Sequence, residues 1–179
     1  NTNSNNALLK IVEEPNENIF FLLIHNNNKK IIDTLKSRCL TYKINLTFGD
    51  SVHITNKLIN ENILNLLNID LISYYNTPGD FVNLIKFSKL NNLNLNELNL
   101  GNFLSLLINE KYYKKDDFIK LSIFNFIELY FLKIFSQSTY QNNVINFYSK
   151  FIRKINDTNK FNLDHDSLFM ELKSKILNG

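Results

Sequence analysis

The sequence predicts a mainly α protein with a short α/β segment at its N-terminal end. Three observations carry that prediction. From Leu46 onward, apolar residues recur at three- and four-residue spacing, the period of helices buried on one face. Ahead of them stands the unbroken apolar run Ile19-Phe20-Phe21-Leu22-Leu23-Ile24, which suits a strand covered on both faces, as in a parallel sheet. Leu40-Thr41-Tyr42-Lys43-Ile44 then alternates as a further strand does. With 179 residues the chain can bury a real core, and the pattern divides it into 1–45, 46–92 and 93–179.

In chain order, Asn6 to Glu14 reads as an amphipathic helix, with Leu8, Ile11 and Val12 on one face and Lys10, Glu13 and Glu14 on the other. Ser4 or a neighbouring Asn can cap it, and Pro15 ends it, because proline disfavours the α conformation in the residue before it. After the apolar strand come the polar residues His25-Asn26-Asn27-Asn28. A short helix over Lys29 to Leu35 follows and delivers Ser37-Arg38-Cys39 at an exposed turn. Phe48, Val52, Leu58 and Ile59 mark a helix, and Ile63 to Tyr75 one or two more. Thr77-Pro78-Gly79-Asp80 opens another: Thr77 is a good N-cap, proline is allowed at the first helical position, and Asp80 completes a capping-box-like pattern. Phe81, Leu84, Ile85 and Phe87 supply its buried stripe. Further helices are expected near Glu97 to Asn109, Asp116 to Ser136, Tyr140 to Ile155 and Asp164 to Leu177. The helix over Phe118 to Phe135 is apolar on most of its circumference, which requires burial almost all round. Asp164 and Asp166 at the start of the last helix and Lys173 and Lys175 near its end favour the helix dipole.

Composition narrows the function classes. The net charge of +3 is mild and no dense basic run occurs, so strong DNA binding by phosphate neutralisation is not indicated for the chain as a whole. Cys39 is the one cysteine, which excludes an intrachain disulfide and a multi-cysteine metal site; no metal and no cofactor are expected. Lys120, Asn125, Glu128 and Lys133 interrupt the longest apolar helix, a poor membrane span, and Asn1-Thr2-Asn3-Ser4 lacks the features of a signal peptide. A cytoplasmic protein fits. Asn is the commonest residue and Lys far outnumbers Arg, a pattern of an AT-rich genome, so the Asn clusters are discounted as motifs. The same bias gives weight to the two arginines, Arg38 and Arg153, since a planar bidentate donor is what lysine cannot replace.

Asn6-Ala7-Leu8-Leu9-Lys10-Ile11-Val12-Glu13-Glu14-Pro15, the apolar strand and Ser37-Arg38-Cys39 together resemble the second half of the AAA+ ATPase core of bacterial DNA polymerase III clamp-loader subunits. The resemblance is motif-level from Asn5 to Ile44 and at Thr77 to Asp80. Further along it rests on length and helical pattern, with Asn162-Leu163-Asp164 as a weak echo. It implies that residues 1–45 are the C-terminal part of an AAA+ core, residues 46–92 the helical lid and residues 93–179 a helical collar through which subunits join.

No Gly-x-x-x-x-Gly-Lys-Ser/Thr loop and no acidic Walker B strand occur, so a fragment lacking the first half of the ATPase domain is expected. His25 and Asn26 occupy the sensor-1 position; the plainer reading, a polar strand end that satisfies loop backbone, is favoured. Arg38 matches the family's arginine finger, which acts in trans on the γ-phosphate of ATP held by a neighbouring subunit. Cys39 reads as a small packed residue rather than a reactive thiol. Gly79 stands where hydrolysing subunits place a sensor-2 arginine, which points to the non-hydrolysing delta-prime branch. The resemblance thus implies a polymerase-holoenzyme subunit without activity of its own. Its partners would be the gamma/tau and delta subunits and, through the complex, the sliding clamp and primed DNA. A hydrolysing gamma/tau-type subunit is the first alternative. A helical scaffold or DNA-binding module unrelated to ATPases is the second.

Overall fold

The computed structural model describes residues 9, 11–12, 18–25, 31–72, 76–137, 141–161 and 163–177. It comprises two compact units, Asn1–Asn45 and Leu46–Gly179. The fold is mainly α, and among the described residues there is no β-strand.

In the first unit Leu9, Ile11 and Val12 are helical, within the expected opening helix. The caps and breaker expected at Ser4 and Pro15 lie outside the described residues. The short helix, α1, covers Asp33–Lys36 and so begins later than the expected Lys29: Ile32 is extended at φ −61°, ψ 134°. Leu35 is its buried side chain. The two expected strands are the clear difference. Residues 19–25 and 40–46 carry no ladder, and the apolar run is open to solvent, with Phe20 94% exposed. A strand exists by hydrogen bonding to a neighbour, and no described segment pairs with either stretch. Hydrophobicity alone therefore leaves them extended and uncovered.

The second unit opens with α2, Phe48–Ile59, which packs against α4, Pro78–Leu90. Both begin with the same device. Thr47 and Thr77 each accept a hydrogen bond from the backbone N–H three residues on, at 3.2 Å. In return the carboxylates of Asp50 and Asp80 accept from the cap residue's backbone N–H at 3.0 Å. These are complete capping boxes, satisfying donors that a helix start leaves unpaired. The helix expected from Phe48, Val52, Leu58 and Ile59 is present, and Val52 and Ile59 pack partly buried against the core. Ser51 and Thr55 are its buried residues, whereas Phe48 and Leu58 are exposed. Thr55 donates its hydroxyl to the Ser51 carbonyl at 2.7 Å, so burial leaves it satisfied.

Between them lie a 3₁₀ turn, Ile63–Asn65, and α3, Ile69–Ile72, which contribute Ile63, Leu71 and Ile72 to the core. The stripe expected on α4 is buried as read: Phe81, Leu84, Ile85 and Phe87. Next come α5, Leu100–Asn109; α6, Tyr112–Lys115; α7, Asp117–Gln137; α8, Gln141–Lys160; and α9, Asp166–Leu172, running into a π-helical turn, Lys173–Leu177. One hydrophobic core joins Phe81 and Phe87 to Phe103, Phe126, Phe131 and Phe169. Edge-to-face pairs such as Phe103–Phe126, at 5.3 Å and 87°, fix its geometry. Gly101 lets α5 approach α7: a β-carbon there would stand 3.1 Å from the Tyr130 ring. The long helix α7 buries Ile119, Ile123, Phe126, Ile127 and Phe131 but leaves Leu121 and Leu132 exposed, so it is covered on most sides rather than all. No helix among the described residues is long and apolar enough to cross a membrane.

Candidate functional site: the Arg38 turn

The turn that follows α1 is built by local hydrogen bonds. Asp33 in the first turn of α1 and Lys36 in the last each suit the nearby end of the helix dipole. The helix does not continue past Lys36, because the next donors reach back three residues instead of four. Arg38 N–H donates to the Leu35 carbonyl at 3.1 Å and Cys39 N–H to the Lys36 carbonyl at 3.4 Å. Side chains finish the turn: Ser37 donates its hydroxyl to the Thr34 carbonyl at 3.0 Å, and Arg38 Nη1 donates to the same oxygen at 2.8 Å. Nη1 also lies 3.4 Å from Ser37 Oγ. Carbonyls that a helix C-terminus leaves without partners are thereby used, and Ser37 and Arg38 both remain exposed.

Cys39 is half-buried and carries a free thiol. His25 is exposed at the end of the extended apolar run, and Asn26 lies outside the described residues. Among the described residues no group of three His, Cys, Asp or Glu side chains could hold a metal ion.

Gly79 is the second residue of α4, immediately after Pro78. The turn does not require a glycine there. Its backbone is not in the left-handed region, and a β-carbon would meet only Thr77 Oγ1, at 3.7 Å, an ordinary contact. A β-carbon would be accommodated, and the position as it stands offers no cation. The cleft that Asp80 lines with Asn76, Ser122 and Asn125 has a volume of about 60 Å³. That is far below the roughly 300–1,000 Å³ of ligand clefts.

The feature that reading the sequence missed lies elsewhere in the second unit. Asp166 accepts from Lys111 at 2.7 Å, from Lys114 at 2.6 Å and from the Tyr113 hydroxyl at 2.7 Å, tying α6 to the start of α9. These three donors, Lys111 first, hold its carboxyl well below the usual carboxylate range. Burial, reinforced by Asp166, pushes the Tyr113 hydroxyl up, so it keeps its proton to donate. This is a clamp between elements, and its only sequence signal was an acidic residue in a first helical turn.

Comparison with known proteins places the Arg38 turn inside the matching stretch. Residues 1–47 match the family model described as "DNA polymerase III, delta subunit". The chain is 54% identical over 39 residues to a DNA polymerase III subunit delta' from Buchnera aphidicola subsp. Baizongia pistaciae, covering 22% of this chain and 12% of that protein. It is 56% identical over 41 residues to the subunit delta' from Buchnera aphidicola subsp. Schizaphis graminum, covering 23% and 12%. A DNA polymerase III subunit gamma from the latter is 34% identical over 108 residues, covering 57% of this chain and 29% of the relative. The chain thus spans well under half of the length of the curated relatives it matches. No solved structure matches it.

Proposed function

We propose, from the match of residues 1–47 and the likeness of a short stretch to two delta' subunits, that this chain belongs to the DNA polymerase III clamp-loader family and serves as its non-hydrolysing delta-prime subunit, with Arg38 as an arginine finger acting in trans. The observation that carries the reading is Arg38 itself. It falls within the matched stretch, flanked by Ser37 and Cys39, and stands exposed on a turn held by its own hydrogen bonds. A guanidinium brought to the γ-phosphate of a neighbour's ATP stabilises the charge that develops on the transferred phosphoryl group. Its rigid planar fork suits those oxygens better than an ammonium does.

Gly79 supports the non-hydrolysing role, since the position where hydrolysing relatives are expected to carry an arginine has no charge to offer. Residues 46–92 serve as the lid and residues 93–179 as the collar that joins gamma/tau and delta subunits. The assembled complex acts in the cytoplasm on the sliding clamp and primed DNA. His25 and Asn26 are assigned no phosphate-reading role.

A gamma-type subunit is the second reading, favoured by the 34% identity to a gamma subunit over the longer stretch. The two part company on stoichiometry and position. Mixed with the gamma/tau and delta subunits of its own holoenzyme, the subunit should co-elute as a single copy per complex, and gamma should remain needed for turnover. Replacement of gamma by this chain, with ATPase retained, overturns the delta-prime reading in favour of the gamma one.

A further inference from the structure

Arg153 is the second of the two arginines. It sits on α8 at the mouth of a groove of about 590 Å³ between that helix and the C-terminal segment. Lys150, Arg153 and Lys154 line the groove from α8, and Glu171 and Lys175 from the other side. Four cations face one carboxylate, and the surplus of three positive charges equals the net charge of the whole chain.

Glu171 is already committed: Lys154 and Lys175 both bind it, the latter at 2.8 Å. Lys150 and Arg153 take part in no hydrogen bond or ion pair among the described residues and are exposed. Three positions apart on a helix, they point from neighbouring places on one face. Phe147 lies on the same side of α8. Stacking on Phe151 at 6.3 Å and 17°, together with a contact to Phe131 at 5.9 Å, fixes its ring, and Lys175 Nζ stands 5.8 Å from the ring centroid.

We propose that this groove binds a single strand of nucleic acid, with Lys150 and Arg153 holding its phosphates and the Phe147 side of the groove giving apolar contact to a base. A basic groove with an aromatic side chain in it is the arrangement that tracks an unpaired strand without reading its sequence. The planar fork of Arg153 suits bidentate binding of a phosphate. The volume falls in the roughly 300–1,000 Å³ range of ligand clefts, which admits a nucleotide or two and not a duplex. Arg38 takes no part in this groove.

The test is fluorescence anisotropy of a labelled oligothymidylate of about twelve nucleotides with the whole chain, at about 50 mM salt and upward. The chain should bind it. The double variant K150E/R153E should lose about tenfold in affinity, and the slope of log affinity against log salt should shrink by about 1.4, two phosphates at ~0.7 each for a single strand. K150Q/R153Q should fall between, and reversal of Lys86 and Lys89 on α4 should leave binding within about twofold. Both groove residues are exposed, so the variants should melt with the parent by circular dichroism. Absence of binding, or unchanged affinity and slope in both groove variants, overturns the proposal. Tighter binding of a poly-glutamate peptide that depends on the same two residues also overturns it, making the groove a dock for an acidic peptide.

Discussion

Asp166 shows how much one side chain can organise at the residue scale. Its three donors come from residues more than fifty positions upstream, and no periodicity or spacing in the sequence announces such a meeting. The aspartate reads as a helix-dipole residue, which it also is, in the first turn of α9. Lys111 and Lys114 are about half exposed, so their contributions are discounted for solvent screening. The buried Tyr113 hydroxyl is the partner with more to lose. Asp166→Asn should destabilise the protein by about 1–2 kcal/mol, the low end of the roughly 1.5–3 kcal/mol of a hydrogen bond to a charged group once solvent screening is allowed for. Because the folded carboxyl is held below its ordinary value, its stabilisation is present above the unfolded value near 4 and is lost as pH falls through the depressed folded value. Urea titrations of both proteins should show the gap at pH 7 and its closure in strong acid. A constant gap would mean that packing, not charge, is what Asp166 supplies.

At the scale of the element, helix positions were legible and strands were not. Apolar spacing is local information, and it located α2, α4, α5, α7 and α8 within a few residues of their observed bounds. Strand pairing is not local: Ile19 to Ile24 has the composition of a strand but no described partner, and remains open. The asparagines, discounted as motifs, have structural work instead. They hold several of the joints between elements. Asn99 caps α5 by accepting from Asn102 N–H at 2.9 Å, and Asn56 accepts from Ile63 N–H at 2.9 Å. Asn68 donates to the Asn96 carbonyl at 3.0 Å, while Asn60 and Asn92 take the left-handed conformation that asparagine tolerates. Bias in a genome's composition does not stop a side chain from bonding.

The capping boxes give the cleanest prediction at this scale. Thr77→Ala should cost about 1 kcal/mol, within the ~0.5–2 kcal/mol seen for lost N-caps. Gly79→Ala should stabilise by about 0.4–1 kcal/mol, because the position is open and helical and the substitution restricts the unfolded chain. Thermal melts of the two variants should move in opposite directions. A destabilising Gly79→Ala would show that the glycine is structurally required after all, and would weaken the argument that its bareness concerns phosphate.

For the whole molecule, the division into Asn1–Asn45 and Leu46–Gly179 separates two kinds of work. The second unit owns the hydrophobic core, which explains how a chain so rich in asparagine folds. The first carries the family match and Arg38, and its motif was legible because Ser37-Arg38-Cys39 is contiguous in sequence. Central to the account is that Arg38 acts on a nucleotide outside its own subunit. The most direct measurement is the DNA- and clamp-stimulated ATPase of a loader reconstituted with Arg38→Ala in the full-length subunit. Stability should change by no more than about 0.5 kcal/mol, as for other surface substitutions, and assembly should persist. Turnover should fall severalfold, short of the roughly 10³–10⁵ that a trans-acting finger supplies at one site, because the other sites keep theirs. Lysine at the position should rescue poorly, lacking the planar fork. Wild-type stimulated turnover in the fully assembled Arg38→Ala loader would contradict the account.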